Sequence, residues 1–518
     1  MTNPAATARL AGRREWIAFT VLVLPLLLVS MDVSVLYFAI PAITEQLDPS
    51  ATQQLWIFDS YAFALSGLLI TMGSLGDRIG RRKLLMIGAT AFGLASVGAG
   101  YATSAEMLIA ARVLLGIGGA TLMPSTLALV RNLFQDDKQR GKAIALWSGA
   151  MTGGIALGSV LSGVMLNHFY WGSVFLINVP AMLLLLVLVP VLVPEFKDPA
   201  PGRFDLLSVP LSMAAVLPVV YGLKEIAAEG FEPLHLGSLA LGLVFGFVFV
   251  RRQRTRDDAM VPRALFGGRG FGAAVGLNTI AAFAMMGSAY FTTQYLQSVL
   301  GMGPLEAALW SLAPSVVIGA AAPVSAALAQ KVERAYVIAG GFVLGAAGFV
   351  LVGLVDTDSL WLLLTGAGVL ASGIVTVMSL VSDTALASAP AEKAGSAASL
   401  LETGQEFGGA LGMAVLGSLG TAVYRSDLAG SEPAVRETLG GAVATARQLG
   451  GAAGEQVLAL AREAFVHGMQ YAAWGGAALL VGAALLAAAL MRGKETPAPP
   501  AAAGAGVPEA GVQVPTYN

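Results

Sequence analysis

Fourteen stretches of about twenty mostly apolar residues, parted by short polar loops, make up most of this 518-residue chain. A coiled run of that length matches the ~30 Å hydrocarbon core of a bilayer. A lipid-exposed segment must also satisfy its backbone polar groups internally, which an α-helix does. The runs lie at about 16–39, 54–75, 83–102, 106–130, 141–166, 174–193, 206–223, 234–250, 270–297, 305–328, 335–355, 359–385, 396–424 and 466–490. With 56% hydrophobic and 12% charged residues and a mean hydropathy of +0.74, the chain lacks the polar material to clothe a soluble fold of this length. The expected class is an all-α integral membrane protein. Its 63 glycines suit helices that approach one another closely.

The positive charges fix an expected orientation. Lys and Arg gather in every second loop, as in Arg78, Arg81, Arg82 and Lys83, then Arg131, Lys138, Arg140 and Lys142, then Arg251, Arg252, Arg254 and Arg256. The intervening loops hold only Lys224, Arg425, Arg436, Arg447 and Arg462, and Arg112 alone lies within a span. Positively charged loops stay in the cytoplasm, so both termini are expected there, in a multi-pass protein of the cell's inner (plasma) membrane. No removable signal peptide is expected, because span 1 is too long and lacks a cleavage site.

The expected organisation is a cytoplasmic N-terminus at 1–15 and a six-helix half at 16–193. Cytoplasmic linkers with an inserted helix pair follow at 194–263, and a second six-helix half at 264–491, with an outer loop at about 425–465. A Pro-, Ala- and Gly-rich tail at 492–518 reads as disordered. With no cysteine and three scattered histidines, thiolate and histidine metal sites are excluded, and no nucleotide loop or nucleophile–base pair is present. No enzyme activity, cofactor, metal or nucleic-acid partner is expected.

Charges inside spans carry the functional signal. A carboxylate at bilayer depth costs about 2.5–3.5 kcal/mol or more on insertion scales, so it commonly faces a cavity or proton relay. Asp32 stands about sixteen residues into span 1, or ~24 Å along a helix. Asp59 enters span 2 from the other side, and Glu402 and Glu406 share one face of span 13. Two carboxylates one turn apart disfavour double ionisation. Interfacial hydration or a structural hydrogen bond is the alternative for each. Arg112 stays charged when buried and needs an anion or carbonyl partner; a purely structural pair with span 1 or 2 is one outcome. Tyr37, Trp56, Tyr61, Tyr290 and Tyr295 are candidate ring faces for a lipophilic cation.

Three motifs carry a family resemblance. The loop Gly73-Ser-Leu-Gly-Asp-Arg-Ile-Gly-Arg-Arg-Lys83 resembles the signature loop of the major facilitator superfamily, with Gly73, Asp77, Arg78, Gly80, Arg81 and Arg82 at its defining positions. A faded copy, Ala326-Ala-Leu-Ala-Gln-Lys-Val-Glu-Arg334, falls where a six-plus-six repeat places it. Arg112-Val-Leu-Leu-Gly-Ile-Gly118 is similar to the superfamily's Arg-x-x-x-Gly-x-Gly segment. Gly154, Gly158 and Gly163 fall on its antiporter motif, with Ser159 where a proline is usual.

Met31-Asp-Val-Ser-Val and the segment around Glu402 and Glu406 are similar to the fourteen-span drug:proton antiporters, which include quaternary-ammonium and multidrug efflux pumps. The resemblance implies a major facilitator fold in two six-helix halves plus a central helix pair. It also implies proton coupling and cation binding through Asp32, Asp59, Glu402, Glu406 and Arg112, and a cytoplasmic gating loop at 73–82. The expected function is proton-coupled export of hydrophobic, cationic drugs or biocides by alternating access, by a monomer whose partners are a small-molecule cation, protons and the bilayer. The alternative is a dedicated exporter of one endogenous metabolite, antibiotic or lipid-like compound.

Overall fold

The computed structural model describes residues 10–197, 207–229, 232–256, 263–266, 269–388 and 394–491. The expected disordered tail lies outside the described residues. The first half comprises α1 (Arg13–Leu47), α2 (Ala51–Ile79), α3 (Arg81–Gly100), α4 (Ala105–Leu133), α5 (Asp137–His168), and one span in two pieces, α6 (Ser173–Leu176) and α7 (Asn178–Leu192). An inserted pair follows, α8 (Ser208–Glu229) and α9 (Pro233–Thr255). The second half comprises α10 (Arg269–Gln294), the broken span α11 (Pro304–Ser311) and α12 (Ala313–Leu328), α13 (Arg334–Val352), α14 (Leu360–Ser388), α15 (Ala394–Asp427), two short helices α16 (Pro433–Glu437) and α17 (Leu439–Leu449), and α18 (Gly451–Met491).

Ten of these spans are long and apolar enough to cross a membrane, and a shorter apolar run occupies Ser208–Val219. Together with α2, α5 and the α11–α12 pair, the helices stand at all fourteen expected places, so the structure is compatible with that count.

Side chains set the ends of these helices. Ser50 accepts from the Gln53 amide, and the Gln53 side chain accepts from the Ser50 amide, which closes a capping box on α2. Ser104, Asp136 and Thr438 cap α4, α5 and α17 in the same way. The breaks before Asn178 and Ala313 fall just ahead of Pro180 and Pro314, which cannot donate to the preceding turn.

The two most extensive contacts between the halves are α2 on α15 and α5 on α11. Each pairs the second or fifth helix of one half with the fifth or second of the other, the arrangement a six-plus-six repeat produces. The inserted helix α8 lies against both α2 and α15 and so covers the seam between the halves on one side. There Trp56, Phe63, Val216, Leu217 and Phe407 form a separate apolar cluster.

The loop expected at 425–465 is largely helical. The last span begins at Gly451 rather than near 466, and its first four turns stand beyond the apolar run, packed against α17. Helix α1 likewise runs on to Leu47, past the expected end near 39.

Bare glycine faces allow the close approaches. A Cβ on Gly158 would lie 2.9 Å from Met31 Cα, and one on Gly154 2.9 Å from Ser30 Cβ, so α1 rests on the α5 backbone beside Asp32. Gly163 does the same for the second half, where a Cβ would come within 2.6 Å of Leu305 Cα. Helix α5 runs unbroken through Ser159. Gly408 and Gly412 of α15 meet the α10 backbone at Thr279 and Phe283. Overpacking such a contact costs about 1–3 kcal/mol. Gly158→Val is therefore expected to lower the thermal midpoint of the detergent-solubilised protein by several degrees, whereas Gly153→Ala, which meets nothing within 4 Å, leaves it unchanged. Equal midpoints for the two variants would contradict the α1–α5 packing.

Candidate functional site

Arg112 organises the centre of the first half. It is 2% exposed and the largest fully buried side chain among the described residues. Its Nη1 forms an ion pair with Asp32 Oδ2 on α1, and its Nε donates to the Ile57 carbonyl on α2 at 3.0 Å. The guanidinium carbon sits 4.4 Å from the centre of the Tyr61 ring, so a third face of the cation rests on π density. The glycines that follow Arg112 in α4 explain how it gets there. A Cβ on Gly116 would stand 2.8 Å from Ala64 Cβ, and one on Gly118 would stand 3.0 Å from the Phe92 amide. Only a bare backbone lets α4 lie close enough to α2 and α3 for the side chain to reach both partners. Both partners of Arg112 thus come from spans 1 and 2.

A second group joins this one across the seam. Tyr37, on α1, lies within the electrostatic reach of Asp59 and of Glu406 on α15. Tyr61 lies within reach of both Asp32 and Glu406. Glu402 in turn feels the charge of Glu406 one turn away. The structure thus brings Asp32, Asp59, Arg112, Tyr37, Tyr61 and Glu406 into one cluster, with Glu402 at its edge. Asp32 and Asp59 are buried, while Glu402 and Glu406 are only half-buried.

The aromatic candidates separate. Tyr37 packs on Phe58 at 5.1 Å between ring centres, Phe58 on Tyr290 at 5.6 Å, and Tyr290 on Phe291 at 5.3 Å. This ladder leads from the charged cluster toward the end of the bundle that carries α16 and α17, called the far end below. Trp56 instead turns to Phe63 and the α8 seam. Tyr295 is not brought to the cluster. It sits in a single π-helical turn at 295–299, where its hydroxyl donates to the Asp356 carbonyl and accepts from the Ser359 amide at 2.8 Å.

The opposite, basic end carries the loop that joins α2 to α3. Gly80 has φ +110°, a conformation that favours glycine. A Cβ there would strike the Glu195 carboxyl at 2.6 Å. Glu195 follows α7 and accepts from the Arg82 and Lys83 amides at 2.9 and 3.1 Å, which satisfies two free donors at the start of α3. Arg82 also donates to the Pro190 and Val193 carbonyls. Sequence reasoning missed Glu195, because it lies in a polar stretch more than a hundred residues from the loop it holds. The Asp77 side chain lies outside the described residues, and Gly73 faces Pro124 of α4.

Residues 22–413 match the sequence profile of the Major Facilitator Superfamily. The chain belongs to the major facilitator superfamily. It is 42% identical to the multidrug efflux pump LfrA of Mycolicibacterium smegmatis, over 92% of this chain and 97% of that protein. It is 34% identical to the methyl viologen resistance protein SmvA of Salmonella typhimurium, over 90% and 97%. The tetracenomycin C resistance and export protein of Streptomyces glaucescens is 33% identical over 78% of this chain and 76% of its own length. Among solved structures, a bacterial homologue of the human lysosomal transporter Spinster, in an inward-facing and unoccupied conformation, superposes with a TM-score of 0.69. At 18% identity, it covers 93% of this chain and 98% of its own.

Removing one partner of a buried ion pair costs about 3–5 kcal/mol, because the other charge is left uncompensated. Arg112→Met is accordingly expected to destabilise this superfamily member strongly, and the double variant Asp32→Asn/Arg112→Met to recover part of the loss. Thermal denaturation followed by size-exclusion chromatography would measure both, and additive losses would contradict a direct pair.

Proposed function

We propose that this chain is a proton-coupled antiporter that exports hydrophobic, cationic compounds by alternating access. The observation that carries the reading is the cluster at the seam. One carboxylate, Asp32, is already balanced by Arg112, while Glu406 approaches the same tyrosines from the other half. A carboxylate at such a place can be neutralised by a proton or by an organic cation, and each excludes the other on charge grounds. That competition is what antiport requires. Protonation of Asp32 would also loosen its hold on Arg112, leaving the guanidinium with the Ile57 carbonyl and the Tyr61 ring, so proton binding and helix packing in the first half are linked. The names of the relatives support the substrate class, since methyl viologen is itself an organic cation.

In this reading fourteen spans cross the inner membrane and the basic end faces the cytoplasm, with both termini there, as the charge bias of the loops favours. The contacts between the halves described above lie between the middle of the bundle and the far end. With Glu402 and Glu406 half-buried, this arrangement suits a state open to the cytoplasm. Glu195 holds Arg82 and the start of α3 as one unit with α7, so the 73–82 loop moves with the first half when the two halves rock. The transporter works as a monomer.

A second reading, a dedicated exporter of one antibiotic, is favoured by relatives named for tetracenomycin C and puromycin. Uptake of a panel of unrelated cationic dyes by inverted vesicles separates the two, since only a multidrug pump moves several. For the coupling claim, the purified protein in liposomes is expected to move ethidium against the flow of protons down an imposed pH gradient, and Asp32→Asn to abolish that movement when transport is normalised to the folded protein recovered in the membrane. Gradient-driven transport that survives Asp32→Asn would remove Asp32 from the mechanism.

A further inference from the structure

At the far end, between the two halves, a cavity of about 40 Å³ lies above the aromatic ladder. It has room for a few waters at most. Its lining includes Gln54 of α2, Tyr290 and Phe291 of α10, Tyr424 of α15, Glu437 of α16 and Phe465 of α18, with residues of α1 and α17. Three features make it more than a packing gap. The rings stand in succession, with Tyr290 and Phe291 at 5.3 Å and Phe291 and Phe465 at 6.0 Å, and offer π faces. Glu437 places a carboxylate at the rim, held by an ion pair with Arg425. Gln54, 6% exposed, adds a polar side chain to the lining.

The roof of the cavity is α17, which belongs to the second half but rests on the first. Gly440 sits on Thr44 of α1 so closely that a Cβ would meet Thr44 Cγ2 at 2.6 Å. Arg447 of α17 pairs with Glu45 of α1 at 2.5 Å. Any motion that parts the halves at this end must therefore lift Gly440 from Thr44, and only then does the cavity grow toward the size that holds an organic molecule.

We propose that this vestibule is an exit subsite for flat aromatic monovalent cations, with the Gly440–Thr44 contact as its outer latch. The inference rests on the antiporter reading above and adds to it where the cation pauses after leaving the central cluster. The aromatic rings stack on its faces, Glu437 is shared between the cation and Arg425, and the Gln54 carbonyl accepts from its amino groups.

The chain has no cysteine of its own, so a pair introduced as Thr44→Cys and Gly440→Cys is the only thiol pair present. The sites are close enough to bridge after a small local shift. Oxidation is expected to form the bond and to lower ethidium export from loaded liposomes by about tenfold or more, with full recovery on reduction and no effect in either single variant. Failure of the bond to form, or undiminished export once it has formed, overturns the latch.

The subsite is read separately, by the external ethidium concentration that half-inhibits export. Gln54→Leu and Phe465→Leu are each expected to raise it by about tenfold, the scale of one hydrogen bond to a charged group and of one or two cation–π contacts respectively, with the KM on the internal side unchanged. External inhibition that stays the same in both variants, or that shifts in step with the internal KM, overturns the subsite. If the unmodified protein exports no organic cation at all, the antiporter reading itself fails, an outcome distinct from either.

Discussion

A guanidinium does not give up its proton inside a protein, and burying one obliges the fold to surround it with compensation. Arg112 meets that requirement with a carboxylate from α1, a carbonyl from α2 and a ring face from the same helix. Three helices of the first half are thereby tied at one point. The tie is possible only because Gly116 and Gly118 let α4 lie against its neighbours, and because Gly154 and Gly158 let α1 lie on α5. The small residues and the buried charges are thus one design: the former create the close contacts within which the latter can pair.

That arrangement also gives the centre its asymmetry. Asp32 is matched within its own half, whereas Glu406 reaches the same tyrosines from across the seam. A change in charge at the seam is felt by both halves together. Beyond it, the ring ladder and the α17 roof close the far end. A transporter needs a site whose charge state can bias which end is open, and the cluster has the location for it.

Much of this was legible in the sequence, for physical reasons. Spans announce themselves because a bilayer demands about twenty apolar residues, and Asp32 and Arg112 stand out because charges are costly there. Their pairing was not legible. Eighty residues separate them, and spacing along the chain says nothing about which helices touch. Glu195 was hidden for a related reason. In a polar linker it reads as a solvated charge, and only the positive φ of Gly80 and the free amides of α3 reveal what it does. Residue type alone groups Tyr295 with the other tyrosines, but its place near the end of a long helix carries it away from the cluster to the far end of the bundle, where it is buried. The segment at 425–465 gave mixed signals because its helices stand clear of the apolar runs, where no bilayer imposes a length or a period.

The central claim is that protons and organic cations compete for the same carboxylates. It is tested most directly without any transport, by adding ethidium to the purified, unbuffered protein and following the pH of the solution. Cation binding is expected to release protons, and the double variant Asp32→Asn with Glu406→Gln to release none. Binding of the cation at normal affinity with no proton released from the unmodified protein would contradict it.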